Sequence, residues 1–99
     1  MRVVVSPRAE NDLESIGDYI AEDNPSRALS FITELRAQCA QIARAPQAYR
    51  AHPELGAGIR SCAHGNYVIF FVPTKTRLDI VRILHGAMNI PLQFPDAKK

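Results

Sequence analysis

The side chains able to do chemistry are few and scattered. Cys39, His52, Cys62, His64 and His85 show none of the paired short spacings that a zinc or similar site uses, so neither a metal nor a cofactor is expected. His85 closes an apolar run. An imidazole there titrates near neutrality and could move a proton. Catalysis would also need a nearby aspartate or tyrosine, and the adjoining sequence supplies neither, so its expected role is to cap a strand end by hydrogen bonding. Arg60 and Arg82 could bind acidic groups of another molecule, or pair with Asp79 or Glu54 and fix a sheet. Cys39 falls on an apolar helical stripe and reads as core; Cys62 reads as a strand cysteine.

These residues must be positioned by a short chain. Ninety-nine residues make one domain with one core. Hydrophobic residues at 46% against 22% charged argue for a folded chain. No segment approaches the roughly 20 apolar residues of a membrane helix. The start, Met1 to Pro7, has too short an apolar run for a signal peptide. Two cysteines do not suggest a disulfide framework. The expected location is the cytoplasm. Net charge is only +2, but residues 1–34 carry seven acids against three bases and residues 35–99 nine bases against three acids. That asymmetry gives either an acidic, solvated first helix or a basic C-terminal part that receives an acidic partner.

Arg2 to Val5 reads as a strand. Ser6-Pro7 is a helix start, with a serine N-cap and proline in the first turn. Ala9, Leu13, Ile16 and Ile20 then share one face, and this helix should end near Glu22. Asn24-Pro25 repeats the start signal. The second helix carries Ala28, Phe31, Ile32, Leu35, Cys39 and Ile42, and should stop before Pro46. Residues 46–58 read as loop. Strands are expected at Ile59–Ala63, Tyr67–Val72 and Leu78–Leu84, with turns at 64–66 and 73–76. The tail, 86–99, should be irregular or a short edge element. The class is α+β, order β-α-α-β-β-β, with a mostly antiparallel sheet packed on a helical hairpin.

Tyr67-Val68-Ile69-Phe70-Phe71-Val72 is apolar on both faces of its strand. On the last strand Leu78, Ile80 and Leu84 are expected on one face, Val81 and Ile83 on the other. Two helices cover only one face of a small sheet. The second face should therefore meet a partner, or else a folded-back tail using Ile90, Leu92 and Phe94, or a second copy of the chain.

The chain resembles the ParE branch of the RelE/ParE toxin superfamily over residues 3 to 90. The match runs through Ala9, Asp12-Leu13, Ile16 and Tyr19-Ile20-Ala21, then Asn24-Pro25, Ala28, Phe31, Leu35, Ile42 and Pro46. It continues through Tyr49-Arg50, Pro53-Glu54-Leu55, Gly58-Ile59-Arg60, Gly65 to Phe71, and Val81 to Ala87. The resemblance implies a toxin of a type II toxin–antitoxin system, neutralised by a ParD-like antitoxin and acting on DNA gyrase. Arg60 and Arg82 match recurrent family arginines. The candidate antitoxin- or target-binding residues are Arg60, Val68, Phe70, Arg82, His85 and Met88.

RNA cleavage through the 2′-hydroxyl, the activity of the RelE branch, needs an acid, a base and cations for the developing charge. Aligned on the resemblance, that branch's arginines fall on Val68 and on or beside Ala87, and its tyrosine near Ile90. All are apolar here, so a non-enzymatic inhibitor is expected. The alternatives are a ribosome-dependent mRNA endonuclease and a non-toxic, antitoxin-binding remnant. The family's "HGARD" or "HQRMD" run is replaced by His85-Gly86-Ala87-Met88-Asn89, a departure in a region linked to toxicity.

Overall fold

The computed structural model describes residues 1–94. Its elements are β1 (Arg2–Val5), α1 (Pro7–Ala21), α2 (Pro25–Ile42), a 3-10 turn (Pro46–Ala48), β2 (Arg50–Ala51), β3 (Arg60–His64), β4 (Tyr67–Pro73), β5 (Arg77–His85) and a second 3-10 turn (Ile90–Gln93). The sheet order is β1-β5-β4-β3-β2. Only the β1–β5 pair is parallel; the other three are antiparallel. The expected class and element order hold, with one addition. The two-residue strand β2 lies inside what reads as loop, paired to β3 through Arg50↔Ser61 and Ala51↔Arg60. Of the expected tail, residues 86–94 are described, and 95–99 lie outside the described residues.

Both helices start as their residues dictate. Ser6 Oγ accepts the Ala9 amide at 3.1 Å, and Asn24 Oδ1 accepts the Arg27 amide at 3.0 Å. Each cap is followed by proline at the first helical position, where the missing N–H costs nothing. Only residues 22–24 separate the helices, so they fold back as an antiparallel hairpin on one face of the sheet. The turn between β3 and β4 is Gly65-Asn66. Gly65 takes φ +58°, which a two-residue hairpin needs at its first central position and which a side chain would disfavour.

The main core lies between hairpin and sheet. It contains Leu13, Ile16, Phe31, Leu35, Cys39 and Ile42 from the helices, and Ile69, Phe71, Leu78, Ile80 and Ile83 from the strands. A second cluster sits on the opposite face: Leu55, Phe70 and Leu84, with Ile59, Val68, Val81, Ile90 and Phe94 against them. The assignment of faces along β5 differs from the expectation. Leu84 belongs to the second cluster and Ile83 to the main core. The ladder slips between Phe70↔Arg82 and Phe71↔Ile80, leaving Val81 as an extra residue. One inserted residue reverses which face every later side chain meets.

The bulge is held from outside the sheet. β1 stops pairing at Val5↔Ile80, where the chain turns into α1. Ser6 donates its amide to the Ile80 carbonyl at 3.0 Å and its hydroxyl to the Val81 carbonyl at 3.1 Å. One turn on, Asp12 accepts the Ile83 amide at 2.9 Å. Side chains at the start of α1 thus satisfy the edge of β5 that β1 is too short to cover.

Candidate functional site

Asp12 also carries the main charged contact of the fold. Its two oxygens accept from Arg82 Nε at 2.8 Å and Nη2 at 2.9 Å. Both side chains are nearly buried, at 12% and 13% exposure. Donating these hydrogen bonds to Asp12 raises the pKa of the Arg82 guanidinium above its ordinary value. Arg82 Nη1 is buried without a partner among the described residues. The expected partners of the arginines are otherwise engaged: Asp79 accepts from Arg77 Nε at 2.6 Å, and Glu54 lies against His52. Arg60 instead donates to the Tyr49 carbonyl at 2.6 Å and ties β3 to the end of the 3-10 turn.

His85 Nδ1 accepts the Ala87 amide at 3.0 Å, so the imidazole caps the end of β5. A tyrosine does lie beside it. Tyr67 is its cross-strand neighbour, and the two rings meet edge to face at 5.2 Å. Burial raises the Tyr67 phenol, with a smaller contribution from Tyr19. His85, Arg82 and Met88 border one cleft of about 240 Å³ with Tyr19 and Tyr67. Met88 is 42% exposed there. Val68 and Phe70 are elsewhere, in the second apolar cluster on the opposite face, and Arg60 is at the far end of β3. The six candidates thus fall in three places.

The second face is covered, but thinly. The loop carrying Leu55 and Ile59 and the 3-10 strap carrying Ile90 and Phe94 close over Phe70, whose ring meets Phe94 at 5.1 Å. Phe70 is only 2% exposed, while Leu92 on the same strap is 74% exposed. A folded-back tail, one of the three covers expected, is in place through Ile90 and Phe94, whereas Leu92 points outward. Two grooves flank the strap. One, of about 510 Å³, runs past Arg50, His52, Ser61 and Val68; the other, of about 530 Å³, runs past Arg8, Arg82, Val81 and Phe94. A third groove, of about 640 Å³, lies between the two helices, with Gly17, Ala21, Ala28 and the exposed Leu29 on its walls and Glu14 and Asp18 beside them.

Two contacts were not legible as such. Asp12 stands three residues after Ala9 and four before Ile16, so it borders the buried stripe; that spacing was a usable signal for a buried pair. His52, Glu54 and Ser61 form a hydrogen-bonded chain that depends on the two-residue strand β2, for which no periodic signal exists.

The chain is thus a helical hairpin on one face of a five-stranded sheet, with apolar grooves on the other. Residues 3–90 match the family model described as the ParE toxin of the type II toxin–antitoxin system parDE. Toxin ParE1 of Caulobacter vibrioides is 35% identical over 86 residues, covering 86% of this chain and 88% of the relative. Toxin ParE1 of Mycobacterium tuberculosis is 30% identical over 91 residues, covering 90% and 93%. The chain belongs to the ParE toxin family. Two solved structures share its fold. A chain of the chromosomal ParDE system from P. aeruginosa has a TM-score of 0.72 at 20% identity, covering 86% of this chain and 95% of that one. A chain of the RelBE2 toxin–antitoxin complex of Mycobacterium tuberculosis has 0.60 at 23%, covering 85% and 95%.

Proposed function

We propose that this toxin acts in the cytoplasm by binding DNA gyrase without RNA cleavage of its own, and that a ParD-like antitoxin holds it on the strap-covered face of the sheet. The observation that speaks against RNA cleavage is the engagement of Arg60 and Arg82, the two arginines that match recurrent family positions. RNA cleavage needs cations free to meet the phosphorane charge. Arg82 is spent on Asp12 and Arg60 on a backbone carbonyl, and by the resemblance the cleaving branch's arginines fall on Val68 and on or beside Ala87, and its tyrosine near Ile90, all apolar here. The antitoxin face is supported by the two apolar grooves, the outward Leu92 and the bases Arg8 and Arg50 beside them, which suit an amphipathic, acidic segment. None of the described helices is long and apolar enough to cross a membrane.

The test is a gyrase supercoiling and cleavage assay with purified protein. Inhibited supercoiling with trapped cleaved DNA is expected. Unaffected gyrase, with codon-linked cuts in translated messages by primer extension, would make the protein an endonuclease instead. Unaffected gyrase together with normal growth on expression of soluble protein would make it an antitoxin-binding remnant.

A further inference from the structure

Beside β2 lies a hydrogen-bonded chain that neither toxin action by binding nor antitoxin capture requires. His52 Nε2 lies 2.6 Å from Ser61 Oγ, and His52 Nδ1 lies 3.0 Å from Glu54 Oε2. A carboxylate only accepts, so Nδ1 carries a proton and donates it to Glu54. That leaves the lone pair of Nε2 for the Ser61 hydroxyl. The imidazole is held at both nitrogens and against Phe70, while the Glu54 side chain is 62% exposed. The His52 amide donates to the Ile59 carbonyl at 2.8 Å, and its ring meets Phe70 edge to face at 6.0 Å. The His52 side chain is 14% exposed. The Glu54 carboxyl is held below its ordinary range, first by its own backbone amide and then by the His52 hydrogen bond. It is therefore ionised at neutral pH and orients the imidazole.

Ser61 opens into the groove of about 510 Å³, whose apolar wall is Leu55, Val68, Phe70 and Ile90. Directly opposite it in the ladder stands Arg50. Residues opposed across an antiparallel pair point to the same face, so an exposed guanidinium flanks the serine on the wall of the same groove. A hydroxyl, a base accepting from it, a carboxylate orienting the base and a nearby cation are the parts that activate a serine for acyl transfer. We propose that Ser61 is an acyl-accepting nucleophile, with His52 its general base, Glu54 the positioning residue and Arg50 the group facing the developing oxyanion. Its substrates are esters with a short apolar acyl chain that seats against Val68 and Phe70.

In the first step Ser61 Oγ bonds to the ester carbonyl carbon as its proton passes to His52 Nε2. The bond from that carbon to the alcohol oxygen then breaks, and the same proton leaves with the alcohol. In the second step a water oxygen bonds to the acyl carbon, and its proton passes to Nε2. The bond to Ser61 Oγ breaks, and the serine regains a proton as the carboxylic acid departs. Water is the sole co-reactant.

The test uses the full chain and p-nitrophenyl butyrate, with nitrophenolate release followed by absorbance and the butyryl group located by peptide mass spectrometry. One equivalent of nitrophenolate in an initial burst, with the label on Ser61, is expected. Ser61→Ala should abolish the burst, and His52→Gln should slow acylation by about 100-fold or more. Glu54→Gln should lower kcat with little change in KM. Thermal melts establish that each variant is folded; if His52→Gln is not, Ser61→Ala alone decides. No burst above the reagent's own hydrolysis, or a burst that survives in Ser61→Ala with the label on another side chain, would overturn the proposal. His52 would then serve only to clasp its loop to β3.

Discussion

Toward the helices, Ile69 and Phe71 of β4 are sealed under Leu35 and Ile42, with Leu78 of β5 beside them, all at 0% exposure. Toward the other side, Phe70 of the same strand is almost as deeply buried, yet its cover is one loop and one 3-10 turn. A helix satisfies its own backbone and brings a continuous apolar stripe to the sheet. A strap of five residues, Ile90 to Phe94, must be held by a few side chains, here its two ends. The first face is built to stay closed. The second is closed by elements of low local stability, the kind that a partner displaces or extends. Equal burial of neighbouring residues therefore does not mean equal commitment to the fold.

The largest expected effect separates the faces directly. Phe71→Ala should cost about 3–5 kcal/mol, the usual range for a buried phenylalanine whose surroundings cannot collapse. Phe70→Ala should cost at least about 1 kcal/mol less, because the strap and loop can settle into the space. Urea unfolding of both variants checks this, and equal losses would dissolve the distinction between the faces.

Next comes the clasp between them. Arg82 lies opposite Phe70 in the ladder and reaches past the edge of β5 to Asp12 on α1. Asp12→Ala leaves a nearly buried guanidinium uncompensated and strips the Ile83 amide of its acceptor, so a loss of about 3 kcal/mol or more is expected. Asp12→Ala combined with Arg82→Met should recover part of it, and the double-mutant cycle measures how much. The smallest effect is kinetic. Burial pushes the Cys39 thiol up to about 11 in the helix-side core. Cys62, at the margin of the same core beside Gln38, is only partly buried, and burial raises its thiol too. Alkylation at neutral pH should label Cys62 in the folded protein and Cys39 only on unfolding.

Much of this architecture was legible because its signals are local. Ser6-Pro7 and Asn24-Pro25 placed both helix starts, and the apolar runs placed β3, β4 and β5 to within about two residues. Strand β2 escaped because two residues carry no period. The faces of β5 were misjudged beyond Val81, at Ile83 and Leu84, for another reason. The bulge at Val81 is fixed by Ser6 and Asp12, about 70 residues away in sequence, and strict alternation cannot see it. The candidate residues were legible as individuals but not as a site. Arg60, Arg82 and His85 read equally well as ligands or as structural ties, and each makes an intramolecular contact. The His52–Glu54–Ser61 chain was invisible because register, not pattern, brings it together.

The most direct test of the two-face account is hydrogen exchange on the free toxin and on its complex with a co-expressed ParD-like antitoxin. Slowed exchange across residues 52–59 and 86–94 on binding, with the main-core amides of α1 and α2 little changed, is the predicted result. Protection confined to the outer groove of the helical hairpin, with residues 86–94 exchanging as in the free protein, would contradict it.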